Sequence, residues 1–197
     1  MSAVKNKHTW LCSALIFSAL GLIQPMPHAE DAPRPAIKPN AAATTEPWAW
    51  SGGVHEHDHE YACSDFSVMV GLRHKGDEEE GTFYRCASVH QFQQLKTSDA
   101  AWEKIDDESL HSYNCPTDKV MTGRKHVGDE NDPTSYQCST VIDAWGNAMR
   151  TIVDSEWTSA GNAHETDFEC PANKVIASRQ HWGDEEDPTK FKCASLW

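Results

Sequence analysis

No apolar run in this chain is long enough to cross a bilayer as a helix: Trp10 to Ile23 falls short of the ~20 residues such a span needs. Basic residues are scarce, 17 Lys and Arg against 30 Asp and Glu, a formal net charge of -13. That sign argues against nucleic acid and anionic membranes as partners and leaves cations, neutral polar ligands and basic proteins. The common catalytic signatures are missing as well. There is no Gly-rich phosphate loop, no HExxH zinc motif and no nucleophile set apart by its surroundings, and no acidic stretch has the spacing of an EF-hand. Residues 30–47, EDAPRPAIKPNAAATTEP, are nearly empty of large apolar side chains and read as a flexible, partly extended tether.

What is present begins with a leader. Lys5 and Lys7 precede the apolar stretch, and Pro25, Pro27 and Ala29 follow it, the order of a secretory signal peptide spanning 1–29 with cleavage near Ala29. A secreted or periplasmic protein is expected. Loss of this segment removes two lysines, no acid and Cys12, leaving 15 basic and 30 acidic residues, a formal charge of -15, and six cysteines. In an oxidising compartment those cysteines are expected to form disulfides.

The rest, residues 48–197, is one domain built on an internal repeat (about 50–101, 102–156 and 157–197, units of about 52–55 residues). Its core is CSDFSVMVGLRHKGDEEEGTFYRC from Cys63, CPTDKVMTGRKHVGDENDPTSYQC from Cys115 and CPANKVIASRQHWGDEEDPTKFKC from Cys170. In each copy the two cysteines stand 23 apart. Val lies at +5 from the first, His at +11, Gly-Asp-Glu at +13 to +15, Thr at +19 and an aromatic at +21, with a Trp (Trp50, Trp102, Trp157) thirteen positions before. Six cysteines allow fifteen pairings. Only one bridge per repeat (Cys63–Cys86, Cys115–Cys138, Cys170–Cys193) keeps the threefold pattern without crossing units.

Within a repeat the period is that of strands: KVMTGRKH and TSYQCSTVIDA alternate in part, are rich in Val, Thr and Tyr, and flank a Gly- and Pro-bearing turn. About four short strands per unit predict an all-β, closed pseudo-threefold domain of β-trefoil or β-prism type. The third repeat reaches Trp197 only four residues after its second Cys, so the segment around Trp48 and Trp50 is expected to complete that unit and close the ring.

The repeated H-x-G-D-E set is the main candidate ligand site: His74, Asp77, Glu78; His126, Asp129, Glu130; His181, Asp184, Glu185. Three readings apply to it. It forms a turn network, it holds a hard cation such as calcium or a cation-bridged ligand, or a His works with an acid in hydrolysis. HEHDHE is a separate feature. On an extended strand His55, His57 and His59 would face one side and could hold zinc, copper or nickel. Val68, Val120 and Val175 are expected in the core, with Tyr84, Tyr136 and Phe191 packing there too, since the third copy lacks the hydroxyl. Arg124 and Arg179 are expected to pair with a repeat carboxylate.

Through CPTDKV, CPANKV and the acidic turns ending in TSYQC and TKFKC, the region Trp50 to Trp197 resembles the repeat of dermatopontin-like proteins, secreted disulfide-bonded proteins that include matrix components and invertebrate agglutinins. The resemblance implies an extracytoplasmic binding protein without catalytic activity. Together with the threefold repetition, which suits multivalent binding, it gives the expected function: a lectin-like module binding a glycan through three similar sites. A periplasmic inhibitor or immunity-type protein that binds another protein is the first alternative, and a hydrolase the second.

Overall fold

The computed structural model describes residues 41–77, 80–129 and 131–197. The expected signal peptide and residues 30–40 of the tether lie outside the described residues. What is described is all-β, with fourteen strands, one 3-10 turn at Ala163–Glu165 and no α-helix. In chain order the strands are β1 (Thr44–Pro47), β2 (Val54–His55), β3 (Asp58–Ala62), β4 (Ser67–His74), β5 (Gly81–His90), β6 (Lys96–Ile105), β7 (Leu110–Asn114), β8 (Lys119–Val127), β9 (Thr134–Ile142), β10 (Thr151–Val153), β11 (Thr158–Asn162), β12 (Asp167–Glu169), β13 (Val175–Trp182) and β14 (Pro188–Leu196). β1 starts inside the stretch read as tether, and Ala43 just before it is buried.

Each repeat contributes one long hairpin, β4–β5, β8–β9 or β13–β14, turned by its acidic loop and bridged by its own disulfide, as the equal spacing predicts. The first strand of each hairpin is buried along most of its length because both of its faces meet apolar side chains. Val68, Val120 and Val175 join Val70, Ala177, Val89, Val141 and Leu196 where the three hairpins meet. Their immediate neighbours Met69, Met121 and Ile176 face a second cluster holding the aromatic stacks and the half-cystines.

A register shift follows at the same place in every copy, between Met69 and Gly71, Met121 and Gly123, and Ile176 and Ser178. Strand side chains alternate with period two, so an extra residue reverses which face the rest of the strand presents. Leu72 consequently shares the second cluster with Met69, although an uninterrupted strand would send positions three apart to opposite faces. The same reversal carries Arg124 and Arg179, and two positions on the histidines, to the inside.

The hairpins seed three sheets: β1-β5-β4-β12 with β2 also on β5, β3-β8-β9-β6, and β10-β14-β13-β7 with β11 also on β14. The strand leading into each first Cys leaves its own hairpin for the next one. β3 pairs β8, β7 pairs β13, and β12 returns to β4. Each crossing is fixed by a stacked aromatic pair: Tyr61 on Tyr84 at 4.6 Å, Tyr113 on Tyr136 at 4.7 Å and Phe168 on Phe191 at 4.4 Å between ring centroids.

The expectation that the N-terminal strand completes the third unit is corrected. β1 pairs β5, and Trp48 N–H donates to the Cys86 carbonyl, so this segment belongs to the first unit. β10 and β11 cover β14. The reason is uniform across repeats: the Trp-bearing segment thirteen residues before each first Cys pairs with the second hairpin strand of its own copy.

Candidate functional site

The strand exchange makes three junctions, each combining the leading segment of one repeat with the hairpin of the next. At the first, Glu56, His59 and Tyr84 meet Arg124 and His126. His59 Nδ1 lies 2.9 Å from the Glu56 carbonyl and 3.0 Å from that of His55, so Nδ1 carries the proton and Nε2 accepts from the Tyr84 hydroxyl at 2.5 Å. Arg124, 1% exposed, donates to that hydroxyl at 3.2 Å and places its other terminal nitrogen 2.6 Å from Glu56 and 2.5 Å from Glu108.

The second junction repeats the set one unit on. His111 Nδ1 donates to the Glu108 carbonyl at 2.6 Å, Tyr136 donates to His111 Nε2 at 2.6 Å, and Arg179 donates to the Tyr136 oxygen at 2.7 Å. Glu108, 5% exposed, joins the two junctions. Its Oε1 holds Arg124 and, at 2.7 Å, Arg179, while its Oε2 lies 2.8 Å from His126 Nδ1.

Burial alone would raise both glutamates, but the arginines prevail. Glu56 is held down to about 2 by Arg124, and Glu108 well below the usual carboxylate range by Arg124 and Arg179. Burial, with the adjoining arginine adding to it, pushes His59 down to about 4 and His111 down to about 3. Both rings are neutral acceptors at neutral pH.

At the third junction every member of the polar set except the hairpin histidine is replaced. Ala163 stands where the others have Glu56 and Glu108, Thr166 for the histidines, Phe191 for the tyrosines and Leu72 for the arginines. With these smaller side chains in place, a pit of about 50 Å³ is lined in part by Leu72, Ala163 and Thr166. His74, His126 and His181 line it with Glu56, Glu108, Arg124 and Arg179, joined by Gly76, Asp77 and Glu185 from the acidic loops and by His164 from the 3-10 turn. Arg124 Nε and Arg179 Nε are buried there without a hydrogen-bond partner among the described residues.

The H-x-G-D-E residues therefore divide. The histidines turn inward, His74 and His126 each placing Nε2 3.0 Å from the carbonyl of the loop glycine. That glycine has φ of 107°, 110° and 119° in the three copies, where only Gly is unstrained. Asp129 and Asp184 are exposed, and their carboxylates accept from Asn131 N–H at 3.2 Å and Glu186 N–H at 3.0 Å, closing the turn. Asp77 is exposed and Glu185 partly buried, while Glu78 and Glu130 lie outside the described residues. The three histidines, Asp77 and Glu185 line one pit.

His55, His57 and His59 do not share a face. A turn at Glu56–His57 interrupts the strand, His59 points inward to Tyr84, and the His55 and His57 rings lie 5.7 Å apart on the outside. Among the described residues no three His, Cys, Asp or Glu side chains are placed to hold a metal ion, calcium or zinc included.

The repeated tryptophans cover the sheets from outside. Trp50 lies under Arg73 at 4.1 Å, Trp157 has Lys192 at 5.1 Å, and Trp50 and Trp102 crowd Gly71 and Gly123, where a Cβ would meet the indole at 2.8 and 2.9 Å. The reading of Tyr84 and Tyr136 as packing alone is corrected by their hydroxyl bonds. Arg124 and Arg179 find their carboxylates in Glu56 and Glu108, not in the acidic turns. The signal for this was present in the sequence as four departures from the repeat, Leu72, Ala163, Thr166 and Phe191, that only the strand exchange unites. Comparison of the chain with protein-family models, with curated proteins and with solved structures finds no match.

Proposed function

We propose that the chain is an extracytoplasmic, non-catalytic binding protein whose ligand enters the single pit at the junction of the third and first repeats. The observation that carries this reading is the joint replacement of Glu, His, Tyr and Arg at that junction and no other. Scaffold needs alone would keep three alike junctions, since a filled polar set already serves twice. The three disulfides suit an oxidising, extracellular environment, and no helix among the described residues is long and apolar enough to cross a membrane. The cyclic return of β12 to β4 supports a closed pseudo-threefold ring with the pit near its axis.

Size bears on what enters. By the same measure one water needs ~10–15 Å³, so about 50 Å³ accepts a ligand's tip and not a whole sugar ring. A glycan would therefore engage the pit through a protruding substituent, as a lectin-like module, and a protein would engage it through one side chain, as an inhibitor does. The test is to rebuild the missing set in the triple variant Leu72→Arg, Ala163→Glu and Thr166→His, which fills the pit at unchanged formal charge, with Ala163→Leu as an apolar filling. Glycan arrays and immobilised basic proteins should bind the wild type and lose both filled variants. Equal binding by wild type and filled variants would move the site elsewhere.

A further inference from the structure

We propose that the group entering the pit is a carboxylate borne on an otherwise neutral or basic ligand; this rests on the pit being the ligand site. The first two repeats carry a group that the third lacks. Seven residues before the first Cys they have Glu56 and Glu108, each beside the hairpin histidine of its own repeat, Glu56 at 3.9 Å from His74 Nδ1 and Glu108 at 2.8 Å from His126 Nδ1. The third repeat has Ala163 at that position. Its hairpin histidine, His181, has Thr189 Oγ1 at 3.3 Å from Nδ1 and no carboxylate within ion-pair distance among the described residues. A ligand carboxylate supplies the missing group.

Two donors also stand unused. Arg124 Nε and Arg179 Nε have no hydrogen-bond partner among the described residues, although both side chains line the pit and are buried. A guanidinium N–H can only donate, so only an acceptor satisfies it, and buried polar groups are seldom left unpaired. An ammonium head has no acceptor to offer. Glu108 Oε2 does not call for a donor from the ligand, since it stands 2.8 Å from His126 Nδ1. The formal charge of -13 repels a molecule that is anionic throughout, which sets the carrier as neutral or basic. A uronic acid in a glycan presents this chemistry, as does a glutamate side chain on a basic protein.

Titration by NMR tests this, following the Nε–H signals of Arg124 and Arg179 and the methyl signals of Ala163 and Thr166. The probes are acetate, acetamide, methylammonium, glucose, methyl glucuronide and a capped peptide with one Glu between lysines. Acetate should move all four signals. Acetamide, which keeps one acceptor oxygen and loses the charge, should bind at least about tenfold more weakly. A response to methyl glucuronide tighter than that to acetate identifies a glycan source, and a tighter one to the peptide identifies a protein. Ala163→Leu and the filled triple variant should both abolish the acetate response. Acetamide matching acetate, or methylammonium or glucose acting where acetate does not, would overturn the carboxylate and leave the pit as the site. Acetate acting on the filled variants as on the wild type, or no probe reaching these signals, would overturn both.

Discussion

Removing the charge of Glu108 leaves Arg124, Arg179 and His126 facing one another in the interior. Loss of one partner of a buried ion pair typically costs ~3–5 kcal/mol, so Glu108→Gln should lower the denaturant midpoint steeply. Glu60→Gln, which breaks an exposed 3.0 Å pair with Lys125, should shift it by less than ~1 kcal/mol. Equal effects would mean that the buried network contributes nothing beyond a surface pair. The same residues set the acid response. His59 and His111 fall from 6.5 to about 4 and about 3 on folding, so below pH 6.5 the unfolded chain takes up protons that the folded chain refuses. Glu56 falls from 4.5 to about 2, so its contribution is present above 4.5 and is lost as pH drops from there through 2. Both act in one direction. Stability should decline from pH 6.5 downward, ahead of ordinary carboxylate titration, and steepen below 4.5. Unfolding titrations at a series of pH values check this, and a midpoint flat between pH 6.5 and 4.5 would contradict it.

For the strands, exchange between repeats makes damage appear away from its sequence position. Phe168 on β12 is buried against Phe191 and sits opposite Leu72 of β4. Phe168→Ala should cost ~3–5 kcal/mol. Hydrogen exchange should speed up at the amide of His74, which donates to the Thr166 carbonyl, as well as at that of Cys170, which donates to the Val70 carbonyl. Faster exchange confined to the third repeat would mean that β12 does not hold the first. Here the sequence and the structure part company. The hairpins, their bridges and the Val68, Val120 and Val175 core were legible because they repeat at fixed spacing within a unit. Which hairpin a leading strand joins was not, since β3 has the same alternation whether it pairs β5 or β8. The inward turn of Arg124 was hidden for a related reason: the extra residue before it reverses its face, and the strand glycine at that bulge, Gly71 and Gly123, is replaced by Ser178 in the third copy, so it is not a fixed position of the repeat.

For the molecule as a whole, the fixed spacing of the repeat directs attention to three like loops. Repetition showed what the copies share, whereas the pit is made of what one junction lacks, and its wall draws on Leu72, Ala163 and Thr166 from opposite halves of the chain. Asp129 and Asp184 each accept a backbone hydrogen bond within their own turns. A last consequence lies in the hydrogen bond from Ala43 N–H to the Leu196 carbonyl, 2.8 Å long, which sets the two ends of the fold side by side. A short peptide bridging them would let the chain be reopened in the loop between β5 and β6 as a circular permutant with the same strand pairing. The third and first repeats would then be covalently continuous, and the walls of the pit would come from neighbouring stretches of one uninterrupted sequence.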